Sequence, residues 1–192
     1  VDVHGRSCML GKRILFCCLL VLGCVLFFGC NLSSSEPAPV VQTPTPAPVA
    51  PSINLLDAVG DGDLLSVNHH IEFGSNLNKP FVSNGKLGAG GSPLHLAVVT
   101  KQKDIALALI EGGAYIDIRA KDVVGGTPLH WVAFYGMLDM VELLVTSGAD
   151  LNSKDNFGSI PLDAAKADNE ISNEADKLAV VKYLSTFITI EQ

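Results

Sequence analysis

The sequence predicts an all-α solenoid: about four stacked helix-turn-helix units joined by hairpin loops, preceded by a signal peptide and a disordered Pro-rich linker. Three observations carry this reading. "GGSPLHLAVV" at Gly90–Val99 and "GGTPLHWVAF" at Gly125–Phe134 share one skeleton, and "FGSIPLDAAK" at Phe157–Lys166 is a weaker third copy. Each copy leads into a second apolar block that ends in a glycine turn, with Gly74, Gly113 and Gly148 in the same slot. Cysteine and uncharged apolar sequence, by contrast, are confined to the first thirty residues. A period near 33 residues is the signature of identical supersecondary units that bury their apolar faces only by stacking.

The front end reads as an address. Ile14–Gly29, "ILFCCLLVLGCVLFFG", carries no charge and follows Lys12-Arg13, the layout of an export signal over residues 1–29. Met9 gives a shorter basic region than Val1 does and is the expected start of translation. "FFGC" at Phe27–Cys30 resembles the lipobox of bacterial lipoproteins, with Phe28 bulkier than the small residue usual there. That resemblance implies lipidation at Cys30. "VLGC" at Val21–Cys24 is a competing match, and an uncleaved anchor or removal by ordinary signal peptidase are the other readings. Sixteen apolar residues fall just short of the ~17–25 that span a bilayer, whereas several acyl chains hold a protein to a membrane. Asn31 after the cysteine is similar to lipoproteins passed to the outer membrane. The expectation is a lipid-anchored protein of a bacterial envelope, its domain in the periplasm or at the cell surface.

Residues 30–51 form the tether. Six of the ten prolines lie between Pro37 and Pro51. Proline fixes φ and removes an amide donor, so an extended spacer of at most roughly 65 Å is expected over Asn31–Pro51.

The repeats occupy 52–192, in units of about 54–78, 79–117, 118–152 and 153–188. Their chemistry is legible residue by residue. Thr127 suits an N-cap and Pro128 the first helical position, where no amide partner exists anyway. Leu129, Val132 and Ala133 define one apolar face. Gly136 ends that helix. Met140, Val141, Leu144 and Val145 form the face of the next, and Gly148 supplies a left-handed end. Neither helix is long enough to persist alone in water. The connection Lys79–Gly91 and the stretch Ala167–Asp176 are longer than their counterparts, so the former is expected to project.

This pattern resembles the ankyrin-repeat family, G-x-T-P-L-H-x-A followed by V-x-x-L-L-x-x-G-A-D-x-N, over about Asn54–Ile188. The first and last units are degenerate, as terminal caps are; Ile160 and Asp163 replace the family's Thr and His. The resemblance implies a module that binds another protein through hairpin tips and the variable ends of its first helices. Those positions are Val123, Val124 and Gly126; Asn156, Phe157 and Ser159; and Val99, Thr100, Phe134, Tyr135, Ala167 and Asp168, with Trp131 in the variable slot after the histidine. The contact set expected from them is Val123, Val124, Trp131, Phe134, Tyr135, Asn156, Phe157 and Asp168. Exposed apolar patches mark interfaces, and buried aromatics dominate their energetics. The competing reading is that Trp131 and Phe134 pack between repeats.

Other functions find little support. Ser52–Gln192 holds 10 Lys and Arg against 18 Asp and Glu, which disfavours nucleic acid, whose binders need a basic surface. No cysteine follows Cys30, so the domain has no disulfide framework or zinc-finger inventory. His95 and His130 occupy the slot that bonds the adjoining turn in ankyrin repeats. His69-His70 reads as a solvated or hydrogen-bonded cap face, with a metal pair of His69 and Glu72 the weaker option. Asp61, Asp63, Asp150 and Asp155 sit at turn-forming positions. No Ser-His-Asp order, phosphate loop or HExxH motif is present. The expected protein is a monomer without catalysis, cofactor or metal. The rival reading is an immunity or inhibitor lipoprotein that neutralises a basic enzyme or toxin, because acidic surface favours a basic target.

Overall fold

Eight helices run in consecutive pairs along the computed structural model, which describes residues 49–81, 90–169 and 171–188. The pairs are α1 (Leu55–Asp61) with α2 (Leu64–Phe73), α3 (Pro93–Val99) with α4 (Lys103–Glu111), α5 (Pro128–Phe134) with α6 (Leu138–Thr146), and α7 (Pro161–Lys166) with α8 (Glu174–Ile188). The expected all-α stack is therefore observed, and no strand occurs among the described residues. The export segment, Cys24, Cys30 and the linker up to residue 48 lie outside the described residues, as do residues 82–89 of the long connection. Among the described residues no helix is long and apolar enough to cross a membrane.

First helices stack on first helices: α3 lies between α1 and α5, and α7 packs on α5. In the second row α2 packs on α4 and α6 on α8. Leu94, Ala97 and Val98 on α3, and Leu129, Val132 and Ala133 on α5, are completely buried. Ala97, Ala133 and Ala165 recur at equivalent places, and each is fully enclosed. A larger side chain there would push neighbouring helices apart in an interior packed as densely as a crystal. On α6 the buried set is Met140, Val141, Leu143 and Leu144, while Val145 is only half-buried. The stripe expected from the sequence is thus shifted toward Leu143. A helix flanked by neighbours on both sides buries a wider arc than one lying on a flat surface.

The helix ends follow simple chemistry. Asn54 caps α1 by accepting amides from Leu56 at 2.9 Å and Asp57 at 3.0 Å. Asp63 caps α2 through the Ser66 amide at 3.1 Å, and the Ser66 hydroxyl, joined by that amide, lowers its carboxyl pKa from the ordinary value. Gly74, Gly113 and Gly148 all adopt positive φ after the second helices.

Polar side chains stitch each unit to the next. His95 Nδ1 accepts the Ser92 amide at 3.1 Å, so its Nε2–H donates across the repeat boundary to the Gly126 carbonyl at 3.2 Å. His130 does the same with Thr127 at 3.2 Å and the Ser159 carbonyl at 3.0 Å. In the last unit Asp163 accepts the Ile160 amide at 3.2 Å; Ile160 has no side-chain hydroxyl to match Ser92 and Thr127, and a short carboxylate does not reach beyond its own turn. On the opposite rim Asn78 accepts the Tyr115 amide at 2.8 Å, and Asp117 accepts the Asp150 amide at 3.0 Å. His70 is buried, bridging the Ile53 carbonyl at 2.8 Å and the Ser75 hydroxyl at 2.9 Å. It fastens the incoming chain to the end of α2, an interior role rather than a solvated one, whereas His69 is half-buried.

Candidate partner-binding site

The hairpin loops that join the pairs stack as the helices do. Lys121 donates its amide to the Gly90 carbonyl at 2.7 Å, and Asn156 donates to the Val124 carbonyl at 2.8 Å. Loop 120–126 and loop 153–159 are thereby held side by side. Gly125 lies at the crossing with φ 64°, and a methyl group on it would come within 2.5 Å of the Asn156 side-chain amide. Arg119 tightens the same corner, donating Nε–H to the Gly125 carbonyl at 2.9 Å and Nη2–H to Asn156 Oδ1 at 2.7 Å. Asn156 Nδ2 donates in turn to the Val123 carbonyl at 3.0 Å. The side chain of Asn156, expected as a partner contact, thus also joins two loops while staying exposed.

Between these loops, α5 and α7 opens a cleft of about 530 Å³. Four residues of the expected contact set line it: Val124, Trp131, Phe134 and Tyr135. The aromatic rings are half-buried and fixed by edge-on contacts, Trp131 against His95 with centroids 4.6 Å apart and Phe134 against Tyr135 at 5.4 Å. Such pairs gain about 0.5–1.5 kcal/mol beyond the area they bury. Partial burial also raises the Tyr135 hydroxyl above its ordinary pKa. Trp131 thus meets the interior through His95, while Phe134 packs on its neighbour Tyr135, and both line the cleft. Val123 and Phe157 stand outside the cleft at the loop tips, 81% and 70% exposed. Asp168 is exposed beyond the end of α7 and does not line the cleft.

The cleft also contains residues whose part the sequence did not disclose. Asp122, Asp155 and Asp163 line it, with Ala164 forming part of the α7 wall. Each carboxylate has one oxygen fixed by its own turn: Asp122 by the Gly125 amide at 2.6 Å, Asp155 by the Phe157 and Ser159 amides at 2.8 and 2.9 Å, Asp163 by Ile160. Among the described residues the second oxygen of each has no hydrogen-bond partner. The repeat register held a signal for two of them. "KD" at Lys121-Asp122 returns as Lys154-Asp155 exactly one unit later, which places the two acids on adjacent loops.

His95 sits behind the Trp131 wall. Burial lowers its pKa from 6.5 to about 4, against the opposing pull of the Gly126 carbonyl and of Asp122. It is neutral and structural at ordinary pH. Among the described residues no three His, Cys, Asp or Glu side chains gather as metal donors do.

The family model for ankyrin repeats, in three copies, matches residues 55–155. The chain belongs to the ankyrin-repeat family. Ankyrin repeats are interaction modules that bind other proteins. Similar proteins include the ARF GTPase-activating protein Git of Drosophila melanogaster, 36% identical over 40% of this chain and 10% of that protein. A putative ankyrin repeat protein of Rickettsia felis is 37% identical over 35% of this chain and 22% of its own length. The probable 26S proteasome regulatory subunit p28 of Saccharomyces cerevisiae is 39% identical over 49% of this chain and 40% of that protein. The ankyrin chain thus spans less than half of each of these relatives, and only a tenth of the first.

Proposed function

We propose that this ankyrin domain is a non-enzymatic module, tethered to a bacterial envelope membrane through Cys30, that holds a partner protein in the cleft between α5 and α7. The cleft carries the reading. Three aromatic rings at the C-terminal end of α5, with one apolar loop residue beside them, present a preformed surface of the kind that anchors protein contacts. Val123 and Phe157, exposed at the adjoining loop tips, would add apolar contact area for such a partner. The regulatory role printed in the name of the yeast relative is in keeping with an adaptor that acts by binding. The tether rests on the sequence of residues 1–51 alone.

A photo-crosslinking amino acid at position 135, compared with the same group at the exposed Glu142 position on α6, tests the surface in intact cells. A discrete adduct is expected from position 135 and none from position 142. Loss of that adduct on Trp131→Ala, with unchanged helicity, supports the assignment; equal labelling from both positions overturns it.

A further inference from the structure

The cleft has walls of one chemistry and a rim of another. Trp131, Phe134 and Tyr135 make it apolar, while Asp122, Asp155 and Asp163 line it, and among the described residues no Lys or Arg does. At 530 Å³ it lies within the ~300–1,000 Å³ of sites that enclose a small ligand or an inserted side chain. A purely apolar group would leave the second oxygen of three carboxylates unpaired beside it, a costly arrangement once water is excluded. A group both planar and cationic satisfies walls and rim together. Guanidinium stacks on aromatic faces, donates five N–H bonds in a fixed fork, and keeps its charge at every relevant pH.

We propose that the cleft is an arginine-binding subsite: a partner segment inserts one arginine side chain, its aliphatic stem and guanidinium against Trp131, Phe134 and Tyr135 and its N–H groups on Asp122, Asp155 and Asp163. This rests on the protein-binding reading above and names the chemistry of the partner. The rim is prepared for it. The oxygen of each carboxylate that accepts backbone amides fixes the side chain's position, so the other is oriented without further loss of freedom. The alternative occupants match poorly. A second copy of this chain brings a net charge of −7 toward an acidic rim. Residues 31–51 contain no Lys or Arg and one acid, Glu36.

The chain has a single tryptophan, and it lines the cleft, so intrinsic fluorescence reports directly on occupancy. The full chain, in an uncharged maltoside detergent, is titrated with the peptide acetyl-Gly-Gly-Arg-Gly-Gly-amide. The control is the same peptide with citrulline, which keeps the shape and loses the charge. The arginine peptide is expected to give a saturable change in Trp131 emission and the citrulline peptide none over the same range. The triple variant Asp122→Asn, Asp155→Asn, Asp163→Asn keeps every turn acceptor while removing the charge, and should weaken the arginine response at least tenfold. A lysine peptide should bind more weakly than the arginine one.

Equal responses to arginine and citrulline, no saturable response at all, or an unchanged response in the triple variant each overturn the subsite. Continued crosslinking from position 135 in that event leaves the protein-binding reading standing, whereas loss of both removes the two together.

Discussion

Acid should unfasten the repeats at His95. In the fold its ring is completely enclosed, joins two units through the Gly126 carbonyl, and has a pKa lowered by burial to about 4. In the unfolded chain it returns to about 6.5. The folded value is the depressed one, so the unfolded state takes up the proton first as pH falls. The associated stability is complete above pH 6.5 and is lost as the pH drops toward 4. Linkage gives a loss of about 2 kcal/mol on going from pH 7.5 to 5.0, out of about 3.4 kcal/mol available in full. Asp117, raised by burial, works in the opposite direction and offsets part of the total. Comparing wild type with His95→Gln isolates the histidine, since other titrating groups contribute to both. Urea denaturation of each protein at pH 7.5 and 5.0 is the assay. The variant should be less stable at pH 7.5, yet lose about 2 kcal/mol less than wild type between the two pH values. Equal losses in both proteins would show that the buried ring is not what senses the acid.

Three further outcomes are expected. Leu129→Ala opens a cavity at a fully buried position between stacked first helices, which should cost about 2–5 kcal/mol in urea denaturation. Gly125→Ala strains a positive φ and drives a methyl group onto Asn156; it should separate the two loops, seen as a red shift and increased quenching of Trp131 emission, with helicity by circular dichroism mostly kept. Cys30→Ala should abolish labelling by a fatty-acid probe and leave the protein unprocessed, while persistent labelling would move the anchor to Cys24.

Much of the architecture was legible because repetition is a linear property. A helix that begins at Pro128 and ends before Gly136 declares both ends locally, and its copies state that it has neighbours. The cleft was legible in part. Trp131, Phe134 and Tyr135 are large apolar groups at positions that vary in the repeat family, which pointed to a surface while leaving packing between repeats open for the first two. Asp122, Asp155 and Asp163 were not legible: the repeated Lys-Asp pair puts two of them on adjacent loops, but a carboxylate at a turn looks the same in sequence whether its free oxygen faces solvent or a cleft. The bracing by Asn156 was hidden for the same reason: nothing local announces that Arg119, 37 residues away, takes its oxygen.

What the sequence determined alone was therefore the unit and its count: caps, glycine ends and one apolar stripe, all set by interactions within a few residues along the chain. The tertiary structure decided the rest. Only stacking brings loop 120–126 against loop 153–159, sets three acids around three rings, and buries His95 deeply enough to keep it neutral. Distances across a repeat boundary depend on how closely the small faces of Ala97, Ala133 and Ala165 let neighbouring helices approach, and that approach is fixed in three dimensions by packing.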